Sequence, residues 1–471
     1  MPRFHLISWS LIFIVASLAL DKYLYVFMVA KVKYKNIKSL PISATQILVL
    51  LLLMNPLSVF AMDLDLKAEA REVNEYNSNL FLTTAPHTNT WGQGVDVVLG
   101  SKLKAGGLDS NINTNFNNRM YEGASQLNYF NQLFDMKNSY VFNKSRVGFN
   151  AQYNMDTSSA AMDDPDDELG FVFQRIPRVS RMIQPNYTYH ISDKTVVNLA
   201  YKYRDTQYDK IIEFAPVPFP NVVGHTTTAD ISHQFSKDLQ LTGSMFYKDF
   251  LLVHEAETDK LVSNGALQSS PQWTKEIYTE IAMLGANYSF SDTLKLSAAA
   301  GFQSNSQSSQ AYNVLSSTGA VVSHIGENRG NTFSDVYLAK LSKRVNLVND
   351  AHSDMAFESS RSVIPSPGGV LVGYDKYAAT LAHTFSPKWS AKIGLTYADR
   401  SYPVTQKLNS TVFGAQAGVT WKMGAGFELS GNYQYFQLND NALAASGLLD
   451  IAESNAVIFN IGYVFGKHLK Y

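Results

Sequence analysis

The chain has 471 residues, 45% of them hydrophobic and 12% aromatic, with only 17% charged, no Cys, and Lys plus Arg 39 against Asp plus Glu 40. A charge content below the roughly 25% of soluble domains, with 26 Tyr and 27 Phe, excludes a disordered chain; the lack of Cys excludes disulfide frameworks, thiolate metal sites, iron–sulfur clusters and cysteine nucleophiles. A formal charge of −1 offers no footprint for nucleic acid.

Two apolar runs open the chain, residues 6–20 and 47–54, both shorter than the roughly 20 residues a spanning helix needs. The second follows Lys31, Lys33, Lys35 and Lys38 and precedes Ser58-Val59-Phe60-Ala61, the order of a secretory signal cleaved after Ala61. Met28 would begin a signal of ordinary length, so residues 1–27 read as an over-extended start. The alternative is a signal anchor through residues 6–20. The expected organisation is an export region at 1–61 and one domain at 62–471, whose net charge without the export region is −6.

From residue 62 onward helical periodicity is missing and alternation replaces it. Val197, Leu199, Tyr201 and Tyr203 alternate with Asn198, Ala200, Lys202 and Arg204, and Leu294, Leu296, Ala298, Ala300 and Phe302 alternate with Lys295, Ser297, Ala299 and Gly301. The same period recurs through Ala391, Ile393, Leu395 and Tyr397 and through Phe413, Ala415, Ala417, Val419 and Trp421. Period two over about ten residues with aromatic ends matches a tilted strand crossing a bilayer. Short turns recur at 191–195, 235–239, 290–294, 341–345 and 385–389, with a sixth at 421–427 that contains Gly424 and Gly426. The other connections, near 205–224, 249–275, 303–331 and 438–454, are longer and polar.

Strands are predicted at 63–76, 91–104, 108–121, 125–136, 139–155, 173–191, 194–205, 224–236, 238–250, 275–291, 293–304, 332–342, 346–360, 372–386, 388–400, 409–422, 426–438 and 455–471. The fold class is therefore all-β, a transmembrane antiparallel β-barrel of about 16–18 strands with short periplasmic turns and long extracellular loops. The last strand keeps its register through Val457, Phe459, Ile461, Tyr463, Phe465, Leu469 and Tyr471, and a terminus closing on Phe465, Leu469 and Tyr471 resembles an outer-membrane assembly signal. Trp389 and Trp421 sit beside short turns, where a periplasmic aromatic girdle would lie.

With the apolar register facing lipid, as Leu296 and Leu395 do, Lys202, Arg204, Lys248, Lys295, Lys376, Lys392 and Lys422 line the lumen, with Asp230 and Glu428 among few acidic partners. Interior charges tune selectivity in such pores; near the turns they would only solvate the rim. The run Asp163-Asp164-Pro165-Asp166-Asp167-Glu168 lacks the spacing that wraps one Ca²⁺ and reads as a solvated outer loop. Arg175, Arg178 and Arg181 would meet lipopolysaccharide phosphates or offset those carboxylates. His225 and His233, eight apart on one strand, give no metal spacing, and His233 and His383 fall on the apolar register, where packing is expected. No Ser–His pair with an orienting group stands out, so neither an enzyme nor a cofactor is expected.

The stretch Gln184-Pro185-Asn186-Tyr187-Thr188-Tyr189 and the run from Leu199-Ala200-Tyr201-Lys202-Tyr203-Arg204 through Asp205-Thr206-Gln207-Tyr208-Asp209, with Asn79-Leu80-Phe81-Leu82 and Ser360-Arg361-Ser362-Val363-Ile364-Pro365 before Gly368-Gly369, resemble the β-barrel porins found with bacterial exopolysaccharide and exosortase systems. The chain departs from that pattern at Ser78-Asn79, where an acidic residue would precede Asn, and at its terminal Tyr in place of Phe. The resemblance implies an outer-membrane pore of a Gram-negative bacterium, linked to exopolysaccharide export or solute passage, and carries no catalytic residues. The partners then expected are outer-membrane lipid and lipopolysaccharide, the outer-membrane assembly machinery, and polysaccharide or polysaccharide-export proteins. A non-conducting structural barrel of a secretion complex is the alternative.

Overall fold

A strand with one apolar and one polar face leaves its backbone donors and acceptors unpaired along both edges, and in a bilayer these can be satisfied only by closing the sheet on itself. The computed structural model shows that solution. It describes residues 62–79, 89–125, 128–157, 177–208, 221–254, 257–261, 267–270, 273–309, 312–315, 321–325, 328–348, 350–365, 371–401, 409–440 and 451–470; Ala61, Arg175, Tyr471 and the acidic run at 163–168 lie outside them.

The strands are β1 (Met62–Asn77), β2 (Thr90–Ala105), β3 (Leu108–Tyr121), β4 (Tyr129–Phe142), β5 (Ser145–Thr157), β6 (Pro177–His190), β7 (Thr195–Tyr208), β8 (Asn221–Gln234) and β9 (Leu239–His254). They continue as β10 (Glu257–Leu261), β11 (Leu267–Ser270), β12 (Trp273–Ser289), β13 (Leu294–Ser309), β14 (Tyr312–Leu315), β15 (Val321–Ile325), β16 (Asn328–Asn346) and β17 (His352–Pro365). The last five are β18 (Leu371–Ser386), β19 (Trp389–Ser401), β20 (Ser410–Gly424), β21 (Phe427–Asp440) and β22 (Ile451–Lys470). Two small hairpins, β10–β11 and β14–β15, stand apart within long connections, and the other strands form one 18-stranded sheet. Antiparallel pairing of β1 with both β2 and β22 closes it.

Most predicted strands agree with these bounds within a few residues, and two turns move. The turn expected between 136 and 139 lies at Asn143-Lys144, with Asn143 at φ 49°, because Asp135 and Lys137 are not turn residues but inward side chains of β4 flanking the outward Met136. The turn expected at 341–345 lies at 347–351, where Asp350 takes φ 62°. Ser342 and Arg344 continue the inner face of β16, and Arg344 spans to Asp354 of β17 at 2.6 Å. Short turns and both described chain ends share one rim, and the long connections share the other.

The outer face carries the apolar register. Leu199, Ile231, Leu284, Ile393, Leu395 and Val419 stand exposed on it, between two aromatic belts. At the short-turn rim, Trp389 stacks on Trp421 with centroids 5.2 Å apart and planes 7° apart, and Phe427 meets Tyr463 at 5.0 Å. Nearer the long-loop rim are the pairs Tyr377–Tyr397 and Phe413–Tyr435. Trp389 and Tyr397 lie on one strand, about 26 Å apart at ~3.3 Å per residue, comparable to the ~25 Å apolar band of outer-membrane barrels once the strand tilts.

Candidate functional site: the lumen

Pairing is in register around nearly the whole wall, so one inward residue fixes the facing of all its neighbours. By that register Lys202, Arg204, Lys248, Lys295, Lys376, Lys392 and Lys422 all project from the inner face. They lie at two heights. Lys202, Arg204, Lys248 and Lys376 are well up the wall, and Lys202 and Lys248 share one row across Thr226. Lys295, Lys392 and Lys422 stand within a few residues of the short turns. Among the described residues no carboxylate lies within ion-pair distance of Lys295, Lys376, Lys392 or Lys422.

Inner carboxylates are more numerous than the sequence suggested. Besides Asp230 and Glu428, the inner wall carries Glu69, Asp96, Asp135, Asp156 and Glu358, each beside an inward cation. Arg119 pairs with Asp96 at 2.7 Å, Lys137 with Asp135 at 3.5 Å, Lys340 with Glu358 at 3.9 Å, and Glu69 holds both Lys67 and Arg71. Local pattern hid all but Glu358 because β1 to β5 alternate charge and amide on one face against short or mixed residues on the other. Arg178 is not offered to lipopolysaccharide. It points inward, buried, with its Nε 2.7 Å from Asp156 Oδ1. Arg181 does face outward, beside Asp205 at 3.4 Å.

The upper lumen is narrowed by the wall itself. Beyond the Tyr337–Arg361 pair, β17 leaves β16, and the last residues of β17 and the first of β18 turn inward. Gln303, an inner residue of β13, donates from Nε2 to the Val363 carbonyl and accepts from the Val363 amide at 3.1 Å. Val363 and Leu371 then pack among Tyr208, Val222, Phe250, Leu252 and Ile277, inner residues of β7, β8, β9 and β12. Beneath them Thr279 donates to Asn305 at 2.8 Å, and Gln303 and Asn305 are fully buried. A second buried cluster, Ala398, Val412, Leu438 and Ala452 with Tyr374 against it, lines the upper inner wall of β19 to β22.

The lower wall stays open. On β3 to β6 the inner face is rich in amides: Asn111 and Asn113, Asn150 and Gln152, Gln184 and Asn186. Of these, Asn111, Asn150, Gln184 and Asn186 border a recess of about 370 Å³ with Asp109, Lys137, Ser139, Arg146 and Thr188.

Three histidines, His225, His233 and His383, sit on the outer face beside hydroxyls of the neighbouring strand. Ser353 Oγ lies 2.7 Å from His383 Nδ1, Thr195 Oγ1 2.9 Å from His233 Nδ1, and Tyr201 Oη 2.6 Å from His225 Nδ1. His383 also packs its ring edge-on against Phe385 at 4.2 Å. Phe465 and Leu469 continue the outer register of β22, which stays paired with β1 out to Lys470. No group of three or more His, Cys, Asp or Glu side chains that could hold a metal occurs among the described residues.

No family model and no curated protein matches the chain. Among solved structures it is similar to OccAB3 of Acinetobacter baumannii, with a TM-score of 0.41 and 10% identity over 86% of this chain and 99% of that one. It is similar to the outer membrane protein opdK of Pseudomonas aeruginosa, with a TM-score of 0.41 and 10% identity over 85% and 99%. The ferric citrate transporter FecA gives a TM-score of 0.47 and 10% identity over 80% of this chain and 60% of that one.

Proposed function

We propose that the protein is a pore for hydrophilic solutes in the outer membrane of a Gram-negative bacterium. One observation carries this reading: a closed 18-stranded wall has an exposed apolar outer face between aromatic belts and a charged, amide-rich inner face, the partition a bilayer outside and water inside would impose. The short-turn rim then faces the periplasm, Arg181 and Asp205 lie at the level of lipopolysaccharide, and the C-terminal strand with Phe465 and Leu469 is what the assembly machinery engages. Passage linked to exopolysaccharide export is the finer reading, supported by the residue resemblance around Gln184 to Asp209. We assign no catalytic role to the Ser353–His383 pair: it recurs as Thr195–His233, and among the described residues no third side chain bonds the other nitrogen of either ring, as a nucleophile–base pair requires.

Planar-bilayer recording of the purified, folded barrel tests the pore. Stepwise conductance is the expected result. A folded protein that inserts and conducts nothing would favour the alternative, a structural barrel sealed by the inturned ends of β17 and β18 and the buried upper wall.

A further inference from the structure

The inner wall of β3 to β6 is built differently from the rest. Successive inward residues of β3 are Asn111, Asn113, Asn115 and Asn117, so amides recur about every 7 Å along one strand. Across the strands, Asn111, Lys137, Asn150 and Gln184 form one row. Asn150 donates to Gln184 at 3.3 Å and Asn113 to Asn111 at 3.2 Å; these bonds use one donor hydrogen of Asn150 and of Asn113, none of Gln184 or Asn111, and leave acceptor capacity on all four amides.

Glycines keep this surface low. Gly100 faces Asn113 and Gly148 faces Asn186 as cross-strand partners. A Cβ on Gly148 would stand 2.1 Å from the Asn186 side chain, so the amide lies over the space a larger residue would fill. Higher on the same wall the Oδ1 atoms of Asn115, Asn117 and Asn131 are buried with no hydrogen-bond partner among the described residues, and Asn131 is only 4% exposed. Buried acceptors of this kind cost free energy until a donor reaches them.

We infer that this wall is a binding track for a polyhydroxylated carbohydrate chain, entered through the recess at Asn111, Asn150, Gln184 and Asn186. A sugar hydroxyl donates and accepts at once, as a primary amide does, so a column of amides can exchange partners as the chain advances. The charges nearby largely cancel, since Lys137 is paired with Asp135 and Lys104 lies 3.9 Å from Asp109; Arg146 is the cation left over among the described residues of the recess. No aromatic ring lines the recess, so binding lacks a stacking platform and is weak, as passage requires. The inference extends the pore reading by naming its solute class.

The test is single-channel recording with maltohexaose, against a polyethylene glycol of equal hydrodynamic size that accepts hydrogen bonds but has few to donate. Maltohexaose should interrupt the current with residence times well beyond those of the glycol. The Asn111→Ala, Asn150→Ala, Gln184→Ala triple variant should weaken the block at least about tenfold with open conductance unchanged, while inward Thr380→Ala on β18 should leave it intact. Heat-modifiable gel mobility confirms that each variant is folded, and Gln184→Ala alone, which should weaken the block about threefold to tenfold, replaces the triple if that fails to fold. Equal residence for sugar and glycol, or a block untouched by the amide substitutions, overturns the track and leaves the pore standing. If no channel opens, the pore reading falls, and calorimetric titration of maltohexaose into the detergent-folded barrel decides the track by itself: heat lost in the variant supports it, and no heat in the wild type overturns it.

Discussion

At the residue scale, what matters is which face a side chain is on and at what depth. Leu395 is 46% exposed, six residues past Trp389 and flanked by Ala379 and Ala415 on the outer face, so it sits within the apolar band. Leu395→Arg should cost on the order of 2–4 kcal/mol in denaturant unfolding from lipid vesicles, and Thr396→Arg, one residue on and facing the lumen, should cost less than about 0.5 kcal/mol. Equal losses would reverse the register. Leu296 shares the outer face but stands only two residues beyond a short turn, so its Arg variant should fall toward the ~0–1 kcal/mol found near the interface. Gln303 is a different case, because it holds both polar groups of Val363. Gln303→Leu keeps the volume but strands a buried amide and carbonyl, each costing roughly 1–3 kcal/mol. The end of β17 should loosen, and channel recordings should show larger, noisier conductance than wild type.

Among the elements, the turn between β20 and β21 shows how backbone geometry chooses residues. Gly424, Ala425 and Gly426 all have positive φ, at 101°, 51° and 87°, a region that costs an L side chain roughly 1–2 kcal/mol. Gly424 has open space around it, whereas a Cβ on Gly426 would stand 2.5 Å from the Val464 carbonyl oxygen. Gly426→Ala should therefore lower refolding yield and unfolding midpoint more than Gly424→Ala. The reverse order would mean that dihedral strain, rather than the close approach of β22, sets the cost. The 18 barrel strands range from 13 residues in β5 and β19 to 20 in β22, longer than the ~9–11 a bilayer needs. The surplus raises the wall on the long-loop side, where the ends of β17 and β18 can turn inward without breaking the apolar belt of the outer face.

For the whole molecule, the charge of the lumen follows from pairing more than from composition. Arg119, Arg178, Lys137 and Lys340 are each ion-paired with a carboxylate, while among the described residues Lys295, Lys376 and Lys392 form no such pair and Lys422, although opposite Glu428 in register, stays outside ion-pair distance of it. A low-dielectric wall focuses the field of those lysines into the water it encloses. Reversal potentials at low salt should show anion preference, fading as the Debye length contracts to about 3 Å near 1 M. A Lys202→Gln, Lys295→Gln, Lys392→Gln variant should lose part of it, and Lys376→Gln, higher in the wall, should act more strongly than Lys422→Gln at the rim. Cation preference in the wild type, or a variant like the wild type, would remove these residues from selectivity.

The architecture was legible in the residues because its code is local. Period two along a strand assigns each side chain to a face without knowledge of any other strand, which is why the face of the lysines, the outer Trp389 and Trp421 and most strand boundaries, though not those of β4, β5, β16 and β17, could be placed from sequence. The weaker β1–β5 half misled where polar inward residues resembled a turn, at Asp135 to Asn138. Contacts that depend on register between distant strands were not legible. Arg178 meeting Asp156, Gly148 lying opposite Asn186, and Gln303 reaching a backbone 60 residues away each need the ring to close and every turn to take its final length. Sequence by itself therefore determined that this chain makes a barrel and which side chains take its inner face. The tertiary structure alone decided which inner charges remain unpaired, where the lumen narrows and which wall presents its amides, because those are properties of neighbours brought together by closure.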